Sequence, residues 1–337
     1  MSRMTVKNPL SNSSVCRTAM SRLQTLIAGL FVVSFVWVLI PAGATPPSVA
    51  APLKESVDSE PVTPENVASS DLTDTDYVRI DEDEDGDERA MQTAVVTFVG
   101  TPGTRFGGQK VDLFGVVHIG GDDYYRDIDR RLGGYDVVLY ELVAPDGTRI
   151  RPEDLEERRS ILASLQGGMK DMLALEYQLE KIDYLAENFR HADMSPEEFT
   201  ADLEKRGDSM FKMFARMAGA SLAAQASSGG DVGLFVALFS DDRPLRLRRV
   251  MARQLMDVDA VTAGMQDEKG GDTLIKSRNA KAMRILAEEL EKGKQHAAVF
   301  YGAGHLPDMA ERLIGEFQMK PVAIQWLDAW DLKGESD

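Results

Sequence analysis

The stretch that opens VDLFGVVHIGG at residue 111 and ends DVVLYEL at residue 142 limits the fold more than any other. Val111, Leu113, Val116 and Val117 form a short apolar run that stops at His118 and a glycine pair. Val137, Val138, Leu139 and Tyr140 form a second run that stops at Glu141. Between them DDYYRDIDRRLGG has room for a helix of about three turns closed by Gly133 and Gly134, so the whole reads as one βαβ unit. Right-handed crossover makes the two strands parallel and places His118 and Glu141 together at their carboxyl edge, where open α/β sheets keep their chemistry. The competing reading leaves His118 as a turn or packing residue and pairs Glu141 with an arginine.

The strands on either side extend this unit. TAVVTFVG at 93–100 and the 111–117 run are separated by the glycine-rich turn TPGTRFGGQ, a hairpin-like opening to a folded body that starts near Met91. Late in the chain, 274–293 reads as helix, 295–315 as strand, glycine-rich loop and helix with Pro307 near the helix start, and VAIQWLDAW as a terminal strand. Between the two sheet-like ends lies a long, mainly helical section, about 153–293. A helix is expected from about 153 to 190, with Leu175, Leu179, Ile182 and Leu185 as its buried stripe. Ser195-Pro-Glu-Glu opens another, with Ser195 as cap, Pro196 in the first turn and Glu198 at the capping-box position. The Met and Phe residues of 210–217 read as core packing, and LRLRRVMARQLMDVDAVTAG as a further helix. The expected class is therefore α/β: a mixed sheet with flanking helices and a large central, mainly helical insertion.

Upstream of this body the character changes. Residues 1–22 carry Arg3, Lys7, Arg17 and Arg22 with no acidic residue, and 23–40 are almost wholly apolar. That pattern, followed by Ala42 and Ala44 at signal-peptidase spacing, predicts that 1–44 is a signal peptide or an amino-terminal membrane anchor. Either one puts the body outside the cytoplasm, exported or membrane-anchored, with the membrane a partner through 23–40 if the segment is uncleaved. Residues 45–90 are rich in proline, small polar residues and acid, ending in DEDEDGDE at 81–88; mutual repulsion and the lack of apolar surface predict a disordered linker. The run lacks the glycine and glutamate spacing of an EF-hand.

Two bulk properties narrow the function. The formal charge is -17, from 38 Lys and Arg against 55 Asp and Glu, which argues against a nucleic-acid backbone as partner. Cys16 is the sole cysteine, so a metal here must take histidine, carboxylate or water.

One short pattern recurs. Gly115-Val116-Val117-His118 and Gly302-Ala303-Gly304-His305 each place a histidine three residues after glycine at the end of an apolar β-like run, in a chain with 4 histidines. Two imidazoles and the Glu141 carboxylate make a facial set for a divalent metal, Zn²⁺, Mn²⁺, Co²⁺ or Fe²⁺, with open positions for water and substrate. Water on such an ion can attack a carbonyl.

The chain resembles the TraB/PrgY/GumN family, whose animal relatives include the Tiki proteins. The resemblance is carried by GVVHIG at 115–120, VVLYELV at 137–143, EYQLEKIDYLAENFRHADMS at 176–195, SRNAKAM at 277–283 and FYGAGHLPDMAERL at 300–313. It implies that 91–337 is a TraB/GumN-like, membrane-associated or exported α/β domain with two opposed sheet-helix halves. For the animal members it implies metal-dependent peptide hydrolysis, and for several bacterial ones peptide-pheromone control. Carried over residue by residue, His118 and His305 bind metal and Glu141 completes the shell or takes a proton from bound water. Arg278 stabilises an oxyanion or anchors a substrate carboxylate, and Asn279 positions a carbonyl or a ligand. The bland alternatives are that Arg278 pairs with Glu141 and that Asn279 buttresses backbone. His191 and Asp193 form a second candidate pair at a helix-helix junction, or a satisfied junction histidine. His296 reads as structural, and Asp122 and Asp123 as favourable charges at a helix start.

These features lead to metal-dependent hydrolysis of a peptide or related small amide as the expected function. The alternatives are a non-catalytic peptide-binding or pheromone-control module, and a structural envelope protein.

Overall fold

The computed structural model describes residues 77–149, 173–213, 215–216, 219, 240, 242–256 and 272–333. In chain order its elements are β1 (Val78–Glu82), β2 (Glu88–Gly100), β3 (Lys110–Val116), β4 (Ile119–Gly120), α1 (Asp122–Leu132), β5 (Val137–Tyr140), β6 (Glu176–Tyr177) and α2 (Gln178–Lys181). Then come β7 (Phe189–His191), α3 (Pro196–Lys205), α4 (Arg243–Leu255), a π turn at Thr273–Ser277, α5 (Arg278–Glu291), β8 (His296–Gly302), α6 (Leu306–Gly315) and β9 (Met319–Asp331).

Seven of the strands form one mixed sheet in the order β1-β2-β3-β8-β5-β7, with β9 joined to β2. All three partners of β2 run antiparallel to it. β9 lies along β2 from residue 90 to 100, so β1 and β3 share the other edge, since a strand has only two. From β3 onward every pairing is parallel: β3 with β8, β8 with β5, and β5 with β7. Buried on both faces, this parallel part needs continuous apolar runs. Residues Val137 to Tyr140 are all buried, as are Ala297 to Tyr301. The mixed α/β class with a sheet and a mainly helical region is thus the fold of this protein, in one continuous main sheet rather than two opposed halves.

The expected helix after His118 is α1. It ends at Leu132 with Gly133 as its cap residue, carries Asp122 and Asp123 in its first turn, and buries Tyr124, Tyr125, Ile128 and Leu132 on one face. The Ser195 capping box is complete: the serine side chain accepts from the Glu198 N–H, and Glu198 accepts from the Ser195 N–H. The strand pair β2-β3, the strand-loop-helix of β8 and α6, and the terminal strand β9 lie where the sequence reading puts them.

Four expectations are corrected. The strands ending at His118 and Glu141 are not neighbours, because β8 is inserted between β3 and β5 and pairs with both. The body begins before Met91: β1, the acidic turn and the start of β2 occupy 78–90, so this part of the 45–90 linker is a hairpin. Asp83 Oδ1 accepts from the Asp85 and Asp87 N–H groups there, and Gly86 takes φ 86°, a left-handed turn position suited to glycine. The described part of the 153–190 helix is instead β6, the single turn α2 and β7. Pairing with β4 and β5 wins there over helical spacing, and Leu185 of the supposed buried stripe is exposed.

The fourth correction concerns the membrane. Among the described residues no helix is long and apolar enough to cross a membrane. The longest, α5, has 14 residues, about 21 Å of rise against a hydrocarbon core of about 30 Å. The 1–44 segment, with its apolar run 23–40, lies outside the described residues. The membrane partner and the anchored or exported location expected from that run are corrected to this finding, that no described helix can cross a membrane.

Candidate functional site

Four parallel strands deliver their following residues to one edge. His118 follows β3, Glu141 follows β5, His191 ends β7 with Asp193 two residues on, and His305 follows β8 through one 3-10 turn. Arg278 and Asn279 are the first two residues of α5, which brings them to the same edge. The candidates scattered over 188 positions of sequence are therefore gathered by strand direction.

At the centre is the Arg278 guanidinium, almost wholly buried. Its Nε donates to Asp193 Oδ1 at 2.9 Å, and its Nη2 to Asp193 Oδ2 at 2.6 Å and Glu141 Oε1 at 2.7 Å. Nη1 donates to the Leu274 carbonyl at 3.3 Å and faces His305 Nε2 at 3.3 Å. The Asp193 side chain is 0% exposed, so this fork and its two carboxylates form a buried ionic cluster. Burial by itself would raise the Glu141 carboxyl, but the Arg278 guanidinium holds it well below the usual carboxylate range. Glu141 is ionised and a weak base.

The second oxygen of Glu141 accepts from the Gly302 N–H at 2.8 Å. A methyl group placed on Gly302 would lie 3.2 Å from that oxygen and 3.7 Å from His118 Nε2. That is the reason for glycine in the second GxxH: the backbone of β8 passes directly against the carboxylate and the first histidine. Gly115 in the first GxxH has a different reason, since a methyl there would lie 2.9 Å from the Leu306 side chain and 3.3 Å from the Ala94 carbonyl.

Each GxxH histidine meets a side-chain amide through Nδ1. For His305 the partner is Asn279 Oδ1 at 2.6 Å. The orientation of that amide is fixed, because its NH₂ donates at 2.9 Å both to the His305 carbonyl and to Asp308 Oδ2, which accept only. Nδ1 of His305 therefore carries the proton, and Nε2 presents its lone pair to Arg278 and lies 3.5 Å from Glu141 Oε1. For His118 the partner is Gln178 Oε1 at 3.0 Å, with Gln178 Nε2 donating to the Tyr184 hydroxyl at 2.8 Å. The Gln178 N–H also donates to the His118 carbonyl, so side chain and backbone of the histidine are held together. Gln178 was not singled out from the sequence. It lies in EYQLEK with no spacing signal, and only the β4-β6 pairing brings it across.

His191 is separate from this centre. Its Nε2 donates to the Leu142 carbonyl at 2.6 Å, and burial lowers its pKa. Its partner in the sequence reading, Asp193, instead belongs to Arg278, and also accepts from the Met194 N–H. His296 lies at the opposite edge, at the start of β8, bonded to Asp112 Oδ2 at 3.0 Å.

The expected divalent ion does not fit the residues as they stand. Both Glu141 oxygens and His305 Nε2 are engaged by N–H groups, and a cation, the Arg278 guanidinium, already stands between them. Among the described residues no group of three or more His, Cys, Asp and Glu could hold a metal ion. This corrects the metal-binding and metalloprotease expectation for His118, Glu141 and His305.

No family model matches the chain, and neither a curated protein nor a solved structure matches it. The comparisons thus lend no support to the TraB, GumN and Tiki-like terms that the motif resemblance implies.

Proposed function

We propose that this protein hydrolyses a peptide or related amide at the edge where β3, β5 and β8 end. One observation supports the reading above the rest: two imidazoles and an ionised carboxylate converge there, with the His305 tautomer fixed by an amide that has no alternative orientation. Such fixing suits acid-base work, where the proton must sit on one defined nitrogen.

His118 is the reacting base in this reading, being the less buried of the two histidines. Its Nε2 takes a proton from water as the water oxygen bonds to the amide carbon. The same nitrogen returns the proton to the leaving amine as the C–N bond breaks. Glu141 stays ionised and stabilises the imidazolium that forms between those steps, the task a carboxylate performs beside a catalytic histidine. Arg278 and the Gly302 N–H hold the Glu141 carboxylate in place. Arg278 and Asn279 act here as positioning residues, since their hydrogen bonds are spent on Asp193, Glu141, His305 and Asp308.

That same spending favours a second reading, a peptide-binding or signalling-control module without turnover, because it takes both side chains out of an oxyanion role. Incubating the full chain with a mixed peptide library and following products by mass spectrometry separates the two. Hydrolysis predicts cleavage that falls by at least about 100-fold in a folded His118→Ala variant. Cleavage unchanged in that variant, or abolished by a chelator, would overturn the roles given to His118 and Glu141. Saturable peptide binding without products would favour the module.

A further inference from the structure

A cleft of about 370 Å³ lies between α5, β7 and the Asp146–Arg149 loop, with Tyr140 in its lining. Its size falls within the range of small-ligand pockets, about 300–1,000 Å³. In a chain of net charge -17 its lining gathers Arg149, Arg190, Lys281 and Arg284; Arg190 and Arg284 are held by Glu288 and Glu289, which leaves Lys281 and Arg149 as the cations to consider.

The placement of these charges is informative. The Lys281 side chain is only 9% exposed, and its ammonium meets Asp146 at 2.8 Å and Glu198 at 2.5 Å. Those carboxylates are themselves 78% and 45% exposed. A fixed cation thus sits in the wall, with its partners out in solvent where such pairing contributes little. A ligand carboxylate or phosphate can replace them on Lys281 and lose less, because it arrives with its own dry contacts.

Arg149 pairs with no described acid. Its Nη1 donates to the Leu185 carbonyl at 3.0 Å, which fixes the guanidinium at the mouth. The floor is apolar, made by Tyr140, Phe189 and Ile285, and the Tyr140 hydroxyl is already spent on the Thr148 carbonyl. His191 also lines the cleft. Its Nε2 proton is given to Leu142, so the neutral ring offers Nδ1 as an acceptor.

We propose that this cleft is a binding site for a small molecule that joins one carboxylate or phosphate group to a compact apolar or aromatic body. Lys281 and Arg149 take the anion, the Tyr140, Phe189 and Ile285 floor takes the body, and His191 accepts from any donor between them. The site does not depend on the hydrolytic reading.

Calorimetric titration of the full chain tests it with three probes: 3-phenylpropionate, phenyl phosphate and the uncharged 3-phenylpropionamide. At least one anion binds saturably with Kd below about 1 mM, and the amide binds at least about tenfold more weakly. The anion that binds more tightly identifies the group. Arg149→Gln, at a mouth residue whose loss leaves the core intact, weakens the anion by about tenfold, as does Lys281→Met. Arg105→Gln, at an exposed arginine paired with Glu291 outside the cleft, leaves binding unchanged. The proposal is overturned if neither anion saturates, if the amide binds as well as its acid, or if Arg149→Gln binds like the parent.

Discussion

Replacing Arg278 with methionine tests the buried cluster most directly. The substitution keeps side-chain bulk and removes three charge-assisted hydrogen bonds, two to Asp193 and one to Glu141. At about 1.5–3 kcal/mol each, these bonds represent about 4.5–9 kcal/mol in gross terms. Part is recovered. Methionine buries more favourably than a guanidinium, Asp193 keeps the Met194 N–H, and Glu141 keeps the Gly302 N–H. The expected net loss is about 3–5 kcal/mol, the usual result of leaving buried carboxylates without their cation. Against a total stability of about 5–15 kcal/mol this is a large fraction, and it lowers Tm by about 6–20 °C. The loss also depends on pH, with a defined sign. In the parent the Glu141 carboxyl is depressed, so its contribution is present above the unfolded value of about 4.3 and is lost as pH falls through the folded one. Without Arg278, burial dominates and raises that carboxyl, so the variant is penalised at neutral pH and relieved as the group takes up a proton. Urea unfolding of both proteins, followed by circular dichroism at about pH 7 and about pH 4.5, should show a gap that narrows on acidification. A gap below about 1 kcal/mol, or one of equal size at both pH values, would refute the buried-cluster argument.

Gly302→Ala is sterically confined, and its φ of -52° suits alanine, so any effect comes from the contact with Glu141 and His118. It should cost about 1–3 kcal/mol in urea unfolding and reduce peptide cleavage; full stability with full activity would remove the close approach as the reason for this glycine. Asn279→Leu removes the acceptor that faces His305 Nδ1. Nitrogen-15 NMR of the imidazole should then report a changed His305 Nδ1 signal, and an unaltered tautomer pattern would show that Asn279 does not set it. Ser195→Ala removes the cap of α3 and should cost about 1 kcal/mol by thermal unfolding, with no change in cleavage. Trp330→Phe deprives the Ile119 carbonyl of its 2.6 Å indole donor and should cost about 1–3 kcal/mol, which a Tm within error of the parent would contradict.

Local pattern and local chemistry were enough for the elements themselves. Apolar runs ending in His118, Glu141 and His305, the capping box at Ser195, and glycines closing the first crossover helix all act over a few residues, where spacing and backbone preference decide the outcome. The positions of the parallel strands' carboxyl ends follow from strand direction, which is why the residues that meet at the site could be named from the sequence. Long-range pairing decided the rest. No local signal says that β8 inserts between β3 and β5, that 176–191 forms short strands instead of extending a helix, or that the acidic 81–88 run closes a hairpin on β2. These depend on hydrogen bonds between segments far apart in the chain, which override helical spacing and charge repulsion once a neighbouring strand offers an edge. The chemistry at the site was settled the same way. His118, Glu141 and His305 read alone suggest a ligand set, but the tertiary structure brings Arg278 and Asp193 into their midst. The buried positive charge that the carboxylates require comes from a side chain of the protein itself.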